Sequence, residues 1–232
     1  MNGLTILPVA GLPEISTGDS LADLIAEHAE LADGDVVVVT QKVVSKAEGR
    51  LVEIDADDPL AHKALVERES VRVVRRRGDL IISETAHGFV CANAGVDLSN
   101  VERGWAALLP IDSDKSARRI RDGLQARTGR TVGVIVSDTF GRPWRMGLTD
   151  VAIGCAGVAA VADLRGTPDA HGRELQVTEV AIADEIASAA ELVMGKANGI
   201  AAAIVRGLDP SWLREGSVRS EVIRPPGEDL FR

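Results

Sequence analysis

The sequence predicts an α+β (mixed α/β) fold, because it contains both buried-strand and amphipathic-helix patterns that do not alternate regularly. Residues 36–39 form a continuous apolar run, which is typical of a strand buried on both faces. Ser20 precedes a stretch with apolar residues at helical spacing, which predicts a capped helix that ends near residue 32. Without a regular βαβ order, a doubly wound parallel sheet is not expected.

The other elements follow from the same two periodicities. Helical spacing mixed with many charges indicates a helical segment at residues 59–77, and residues 80–93 are predicted to form a hairpin with His87 and Gly88 at its tip. Small residues at 152–162 permit close backbone packing, and residues 164–176 are expected to form a loop. Further strands are predicted at residues 4–9, 131–137 and 200–205, and further helices at residues 113–127 and 177–194.

The 232 residues suffice for one large domain or two small ones. No internal repeat and no low-complexity linker divides the chain. We therefore expect a single domain over residues 1–232, with room for two lobes, and a polar tail over residues 209–232.

Composition and charge exclude several classes of function. The net charge of −9 argues against a nucleic-acid-binding surface, because neutralising phosphates needs a basic face. No run of about 18 apolar residues occurs, and the first residues lack the pattern of a signal peptide, so neither a membrane span nor secretion is expected. Cys91 and Cys155 lie in apolar segments and are expected to be buried and unpaired. These features favour a cytoplasmic protein.

Established nucleotide-binding motifs are absent from the sequence. There is no P-loop and no Rossmann motif, and Gly195-Lys196 has Ala190 where a P-loop requires glycine. The nucleophile elbow of serine hydrolases is absent too. Any nucleotide chemistry must therefore use a different fold.

An acid and a hydroxyl are predicted at the end of the strand at residues 131–137. Asp138 and Thr139 follow that strand, and their oxygen atoms are suitable ligands for Mg²⁺ or Mn²⁺. Arg142 and Arg145 follow in the next loop, and guanidinium groups bind phosphate through paired hydrogen bonds. The alternative is that Asp138 only caps the following turn, and this pattern alone does not decide.

Two further segments point to the same chemistry. Asp97 lies in a polar turn at residues 93–100, where an Asx-turn is the alternative interpretation, but two acidic turns together favour a shared metal site. Lys42 and Lys46 follow the strand at residues 36–39 and share one face if a helix begins there. Such a pair suits phosphate binding, and a solvated helix start is the alternative.

Five segments resemble the coenzyme F-420 gamma-glutamyl ligases, in order and over nearly the whole chain. They are residues 7–13, 34–50, 93–101, 137–142 and 178–186. The resemblance implies a non-standard ligase fold, a homodimer and a GTP-dependent enzyme with two divalent metal ions, Mg²⁺ or Mn²⁺. The implied reaction joins the carboxylate of the coenzyme F-420 precursor to the amine of L-glutamate, and further γ-linked glutamates can follow.

The matching motifs also imply site residues. Asp97, Asp138 and Thr139 would bind metal. In several archaeal relatives the position of Lys196 is acidic or an amide, so here either the second metal has one ligand fewer or Lys196 contacts phosphate. The nucleotide would be lined by Leu12, Pro13, Glu14, Ile15, Gln41, Lys46, Asn100, Met194, Gly195, Lys196, Ala197, Asn198, Gly199 and Ile200.

Two interpretations of function follow from these residues. In the first, the γ-phosphoryl group of GTP activates the substrate carboxylate as an acyl phosphate, and Arg142 and Arg145 are our own catalytic candidates for stabilising that group. The alternative is a non-catalytic nucleotide- or cofactor-binding module that serves a fused or partner enzyme. Some bacterial relatives carry a flavin-binding domain soon after a segment like residues 224–231, and the sequence leaves open whether this chain stands alone.

Overall fold

A five-stranded sheet forms the centre of the protein, whose computed structural model describes residues 3–230. The helices are α1 (Leu21–His28), α2 (Gln41–Ala47), α3 (Lys63–Glu69), α4 (Ser113–Thr128), α5 (Ile182–Met194) and α6 (Val218–Glu221). The strands are β1 (Thr5–Pro8), β2 (Val36–Thr40), β3 (Leu51–Glu53), β4 (Ser70–Arg77), β5 (Leu80–Thr85), β6 (Val90–Ala92), β7 (Trp105–Ala107), β8 (Gly133–Arg142), β9 (Arg145–Ala156), β10 (Ala162–Asp163), β11 (Glu179–Val180) and β12 (Ala202–Arg206).

The central sheet has the strand order β1-β12-β2-β8-β9. Strands β2 and β8 run parallel, whereas the other neighbours in this sheet run antiparallel. The parallel register pairs Thr40 with Ser137. Helix α2, which starts at Gln41, and the second half of β8 therefore begin side by side at one edge of the buried region.

The interior of this sheet is covered on its faces by helices. Val36 to Val39 and Val134 to Val136 have no exposed surface, which explains the continuous apolar runs in the sequence. Helix α4 packs on β8 and β9, and α5 packs on β9, β1 and β12. Burying each valine side chain contributes roughly 1.5–3 kcal/mol, so these strands are a main source of stability.

A smaller region packs beside this sheet. Strands β4, β5 and β6 form an antiparallel sheet, and α3 contacts β4. A second apolar cluster supports it, separate from the main core, and consists of Leu65, Val66, Ile81, Ala94, Val96, Ala106 and Leu108. Strand β6 also contacts β8, which joins the smaller sheet to the candidate site.

Most of the predicted elements are confirmed. The strands predicted at residues 4–9, 36–39 and 200–205 appear as β1, β2 and β12, and the mixed fold class is confirmed. The hairpin predicted at residues 80–93 forms, closed by a hydrogen bond from the Gly88 N–H to the Thr85 carbonyl. Helix α4 matches the prediction at residues 113–127, and the residue that caps its end, Gly129, adopts a left-handed conformation.

Several boundaries were wrong, and the causes are local. Residues 70–77 form β4 rather than a helix, since Val71, Val73 and Val74 favour a strand that pairs with β5. Helix α1 ends at His28 rather than near residue 32, because Ala29 is extended. The helix predicted at residues 177–194 begins only at Ile182, because Glu179 and Val180 form β11 and pair with β10.

The strand predicted at residues 131–137 is longer than expected, and its partner was missed. Strand β8 continues to Arg142 and pairs with the twelve-residue β9 through a two-residue connection. The small residues at 152–156 belong to β9, and Gly154 lies against the backbone of Ser113. The predicted loop at residues 164–176 is confirmed in having no helix or strand.

The described part of the predicted tail, residues 209–230, packs against the rest of the chain. Helix α6 lies there, and Val218 is fully buried. Both cysteines are unpaired and buried, as predicted, and burial raises the pKa of each thiol to about 12. In the described range, no helix combines the length and apolar character needed to cross a membrane.

Candidate functional site

Asp138 lies within β8 rather than at its end, which corrects the prediction. Strand β8 runs on to Arg142 and pairs Asp138 with Val151 of β9. The Asp138 Oδ1 atom accepts the neighbouring N–H of Thr139 at 2.8 Å. The alternative of a simple turn cap is wrong, because extended strand rather than a turn follows Asp138.

The electrostatic environment of Asp138 is unfavourable for its negative charge. Burial raises the pKa of this carboxyl group to about 7, and the nearby carboxylates of Asp97 and Asp150 act in the same direction. The N–H of Thr139 and the ammonium of Lys42 oppose the shift. The charges of Asp97 and Asp150 therefore both reach Asp138 at this edge of the sheet.

Asp97 is held by both a turn and an ion pair. Its Oδ1 atom accepts the N–H of Ser99 at 2.7 Å, so the Asx-turn expected as an alternative is present. Its Oδ2 atom is 2.9 Å from Lys42 Nζ, which also donates to Ser99 Oγ at 2.8 Å. Burial would raise the pKa of Asp97, but these hydrogen bonds and the Lys42 charge together lower it.

Helix α2 directs its two lysines to different partners. Lys42 pairs with Asp97, whereas the ammonium of Lys46 pairs with Glu14. Lys46 is only 9% exposed, so the alternative of a solvated helix start is wrong for it. Gln41 is buried, and its Nε2 donates to the Leu108 carbonyl at 3.1 Å, which fixes the start of α2.

The other residues predicted to bind nucleotide lie in three separate segments of the chain. Leu12, Pro13 and Glu14 are partly or fully exposed, and Ile15 is buried in the core. Asn100 is exposed, with a positive φ of 53°, just after the Asp97 turn. The segment at residues 194–200 joins α5 to β12; its first residue is buried, and Lys196, Ala197, Asn198 and Gly199 are exposed.

Asp150 is the site residue that sequence reasoning missed. It is 3% exposed and lies opposite Thr139 in the pairing of β8 with β9. Its carboxylate accepts hydrogen bonds from Ser137 Oγ at 3.2 Å, Thr139 Oγ1 at 2.7 Å and Lys196 Nζ at 2.6 Å. Recognising the β8–β9 hairpin in the sequence would have placed Asp150 there.

The two arginines do not lie beside the carboxylates within one chain. Arg142 and Arg145 are paired at the exposed tip of the β8–β9 hairpin, and Arg142 Nη2 donates to the Met146 carbonyl at 2.8 Å. Arg142 lies four positions after Asp138 along the strand, which corresponds to roughly 13 Å. The intrachain structure therefore separates these catalytic candidates from the acidic cluster.

The oxygen atoms present are suitable for a hard divalent cation. Carboxylates of Asp97 and Asp138 and the hydroxyl of Thr139 are ligands that Mg²⁺ and Mn²⁺ prefer. A cation would favour the ionised form of Asp138, whose pKa is raised first by burial and then by the neighbouring carboxylates. Among residues 3–230, no three His, Cys, Asp or Glu side chains are grouped closely enough to bind a metal. Water or phosphate oxygens must complete the coordination, as is usual for Mg²⁺.

Comparisons with known proteins identify the family to which the chain belongs. The family model described as F420-0:Gamma-glutamyl ligase matches residues 11–207. A protein of Methanopyrus kandleri named coenzyme F420:L-glutamate ligase is 46% identical over 252 residues, covering 100% of both chains. Proteins with the same name from Methanothermobacter thermautotrophicus and Methanocaldococcus jannaschii are 43% and 41% identical, covering 99% and 95% of this chain and 99% and 94% of their own. The chain therefore belongs to the F420-0:gamma-glutamyl ligase family.

Proposed function

We propose that the chain is a GTP-dependent ligase that forms an amide bond between a carboxylate of the coenzyme F-420 precursor and the amine of L-glutamate. Family membership and the names of its relatives support a ligase that adds glutamate. The convergence of Asp97 and Asp138 with the Lys42 ammonium carries the proposal for this site. Phosphoryl transfer requires ligands for a cation and positive side chains in one place.

The reaction has two steps. A carboxylate oxygen of the precursor attacks the γ-phosphorus of GTP, the bond to the β–γ bridging oxygen breaks, and GDP leaves. The amine of glutamate then attacks the carbon of the resulting acyl phosphate, phosphate departs and the nitrogen loses a proton. Neither step needs a nucleophilic side chain, because positioning and charge neutralisation lower both barriers. The new γ-carboxylate can enter the same cycle again.

Asp97, Asp138 and Thr139 are the residues that would hold a divalent cation, Mg²⁺ or Mn²⁺. When bound, it would supply positive charge to the phosphate oxygens during transfer. The raised pKa of Asp138 supports this role, since its carboxylate lies in a place where a positive charge is favourable. Lys42 keeps Asp97 ionised and oriented.

The nucleotide would lie among residues 12–15, the turn at residues 97–100 and the loop at residues 194–200, each of which a polar contact ties to α2 or to β8. The Lys46–Glu14 pair joins residues 12–15 to α2, and the Lys42–Ser99 hydrogen bond joins α2 to the turn that carries Asn100. Lys196 joins the loop at residues 194–200 to β8 through Thr139. Lys46 is our candidate for a direct phosphate contact, because its buried positive charge needs an anionic partner. The side chain of Glu14, its present partner, is mostly exposed, so a phosphate group could replace it.

The hairpin tip supports a homodimer. Trp144, Met146 and Leu148 are 83%, 95% and 68% exposed there, and exposed apolar groups of this size are typical of protein–protein contacts. A catalytic role for Arg142 and Arg145 requires that the tip of one chain reach the site of a second copy.

A turnover assay tests the proposed function. Purified protein is mixed with GTP, Mn²⁺, the coenzyme F-420 precursor and L-glutamate, and the products are measured by mass spectrometry together with GDP and phosphate. We expect GDP release and a glutamylated product that require all four components. Binding of GTP without any product would instead identify a non-catalytic binding module.

A further inference from the structure

The Lys196 side chain places a positive charge beside the proposed metal ligands. Its ammonium is 2.6 Å from Asp150 Oδ1 and 3.2 Å from Glu191 Oε1, and it donates to Thr139 Oγ1 at 2.7 Å. Thr139 follows Asp138 directly in β8 and is itself a proposed metal ligand. A cation is therefore already bonded to oxygen atoms at the edge of this site.

Asp150 is the buried anchor of this arrangement. Its side chain is 4% exposed, and the hydroxyls of Ser137 and Thr139 both donate to it. A buried carboxylate is strongly destabilising unless a positive charge or a metal compensates it. Lys196 supplies that charge from the loop after α5, and Glu191 in the last turn of α5 holds the ammonium from a second side.

The Asp150 oxygen that faces Thr139 and Lys196 is already fully hydrogen-bonded. This Oδ1 atom accepts from Thr139 and Lys196, and the Oδ2 atom accepts from Ser137. In two-metal sites the ions are about 3.5–4 Å apart and share such carboxylates. A second metal ion on this side of Thr139 would have to displace the ammonium of Lys196.

We propose that the Lys196 ammonium takes the place of a second divalent metal ion, so that each site of this chain binds one metal ion at Asp97, Asp138 and Thr139. The inference rests on the proposed function, because it concerns the charge that GTP-dependent ligation requires. Because the Lys196 ammonium is part of the protein chain, it stays in the site after the nucleotide leaves. It therefore contributes positive charge without the binding and release of a metal ion.

The test counts metal ions rather than turnover. Mn²⁺ is titrated into the full chain with a saturating non-hydrolysable GTP analogue, and bound Mn²⁺ is measured by electron paramagnetic resonance. We expect one bound ion per chain in the wild type. We expect two in Lys196→Glu, because three carboxylates (the new one, Asp150 and Glu191) would then surround the vacated position. Coupling between the two spins should broaden the spectrum of that variant.

Two further variants test whether the number of bound Mn²⁺ ions depends on the charge of Lys196. Lys196→Gln removes the positive charge without adding a negative one. This variant should also bind a second Mn²⁺ ion, but with weaker affinity than Lys196→Glu does. Lys115→Gln removes an exposed lysine on α4 and should keep one ion. Thermal melts establish that each variant is folded.

Several other numbers of bound Mn²⁺ ions would contradict the inference. Two ions in the wild type, or one ion in both Lys196 variants, overturns the inference and leaves the proposed ligase function intact. One ion in those variants together with weaker binding of the GTP analogue also overturns it and makes Lys196 a phosphate contact. No bound Mn²⁺ in the wild type contradicts both the inference and the metal-dependent function.

Discussion

The carboxylate of Asp138 is buried beside Asp97 and Asp150, with Lys42 as the opposing charge. Its pKa of about 7 lies above the ordinary 3.8, mainly because of burial. The folded protein therefore binds this proton more tightly than the unfolded chain does. Without metal, the contribution of Asp138 to stability is present at low pH and is lost as the pH rises from about 4 to about 7.

Asp138→Asn should separate function from stability. We expect ligation to fall by at least about a hundredfold, because losing one electrostatic stabiliser costs on the order of 3 kcal/mol of barrier. The metal-free variant should be more stable than the wild type at pH 8, by on the order of 1 kcal/mol or more, since the neutral amide removes a buried charge. Turnover assays and urea denaturation measure the two effects.

The comparison at pH 4 serves as the control for Asp138→Asn. There the wild-type carboxyl is protonated, so the two proteins should have similar free energies of unfolding. Wild-type turnover at saturating Mn²⁺, or equal stabilities at both pH values, would contradict our account of this residue.

Lys46→Ala tests the proposed phosphate contact. Removing the buried ammonium should weaken binding of a GTP analogue tenfold to a hundredfold, because a charge-assisted hydrogen bond contributes about 1.5–3 kcal/mol. The apparent KM for glutamate should change much less. Isothermal titration calorimetry measures the affinity, with Lys115→Ala as the matched surface control; unchanged affinity in Lys46→Ala would show that Lys46 only pairs with Glu14.

At the scale of elements, the long β8–β9 hairpin positions the site and the helices around it. Helix α4 begins directly against β9, and an added Cβ at Gly154 would lie 2.2 Å from the Ser113 carbonyl carbon. This distance is far below van der Waals contact, and the obstacle is backbone rather than a flexible side chain. Gly154 is therefore required for α4 to pack on the sheet.

Gly154→Ala should destabilise the protein by about 1–3 kcal/mol or more, the range for overpacking a core. Gly141→Ala is the matched control, because this glycine lies in the same hairpin and has nothing within 4 Å of an added Cβ. Guanidinium denaturation measures both variants. Equal stability of the two would refute the close approach of α4 and β9.

The hairpin also shows how much the sequence predicts. Local patterns identified β2, α4 and the 80–93 hairpin, since apolar runs and capping residues are contained within a few positions. Strand β9 was missed because the alternation of Met146 and Leu148 stops at Asp150 and its inner half is rich in small residues. Asp150 was missed with it, because its role depends on pairing with Thr139 eleven residues earlier.

At the scale of the whole molecule, Asp114 ties the C-terminal segment to the central sheet. This buried carboxylate accepts hydrogen bonds from the Cys155 N–H at 2.8 Å, the Val218 N–H at 3.0 Å, the Arg219 N–H at 3.2 Å and Ser217 Oγ at 2.7 Å. One side chain therefore joins α4, β9 and α6. These hydrogen bonds explain why residues 209–230, whose sequence predicts a polar tail, fold against the core.

Asp114→Ala should cost about 3 kcal/mol or more, because it leaves several buried donors without an acceptor. It should also expose residues 209–230 to limited proteolysis. Asp112→Ala is the control, since it removes the exposed cap of the same helix and should cost only about 1 kcal/mol. Equal loss of stability and equal cleavage in both variants would contradict this role of Asp114.

Isotopic labelling of one oxygen atom tests whether GTP activates the carboxylate of the precursor. The coenzyme F-420 precursor is labelled with ¹⁸O in its reacting carboxylate and turned over with GTP, Mn²⁺ and L-glutamate, and the released phosphate is analysed by mass spectrometry. Transfer through an acyl phosphate requires that each phosphate carry one ¹⁸O atom, since the carboxylate oxygen that attacks phosphorus leaves with it. Unlabelled phosphate alongside the amide product would contradict activation of the carboxylate by GTP.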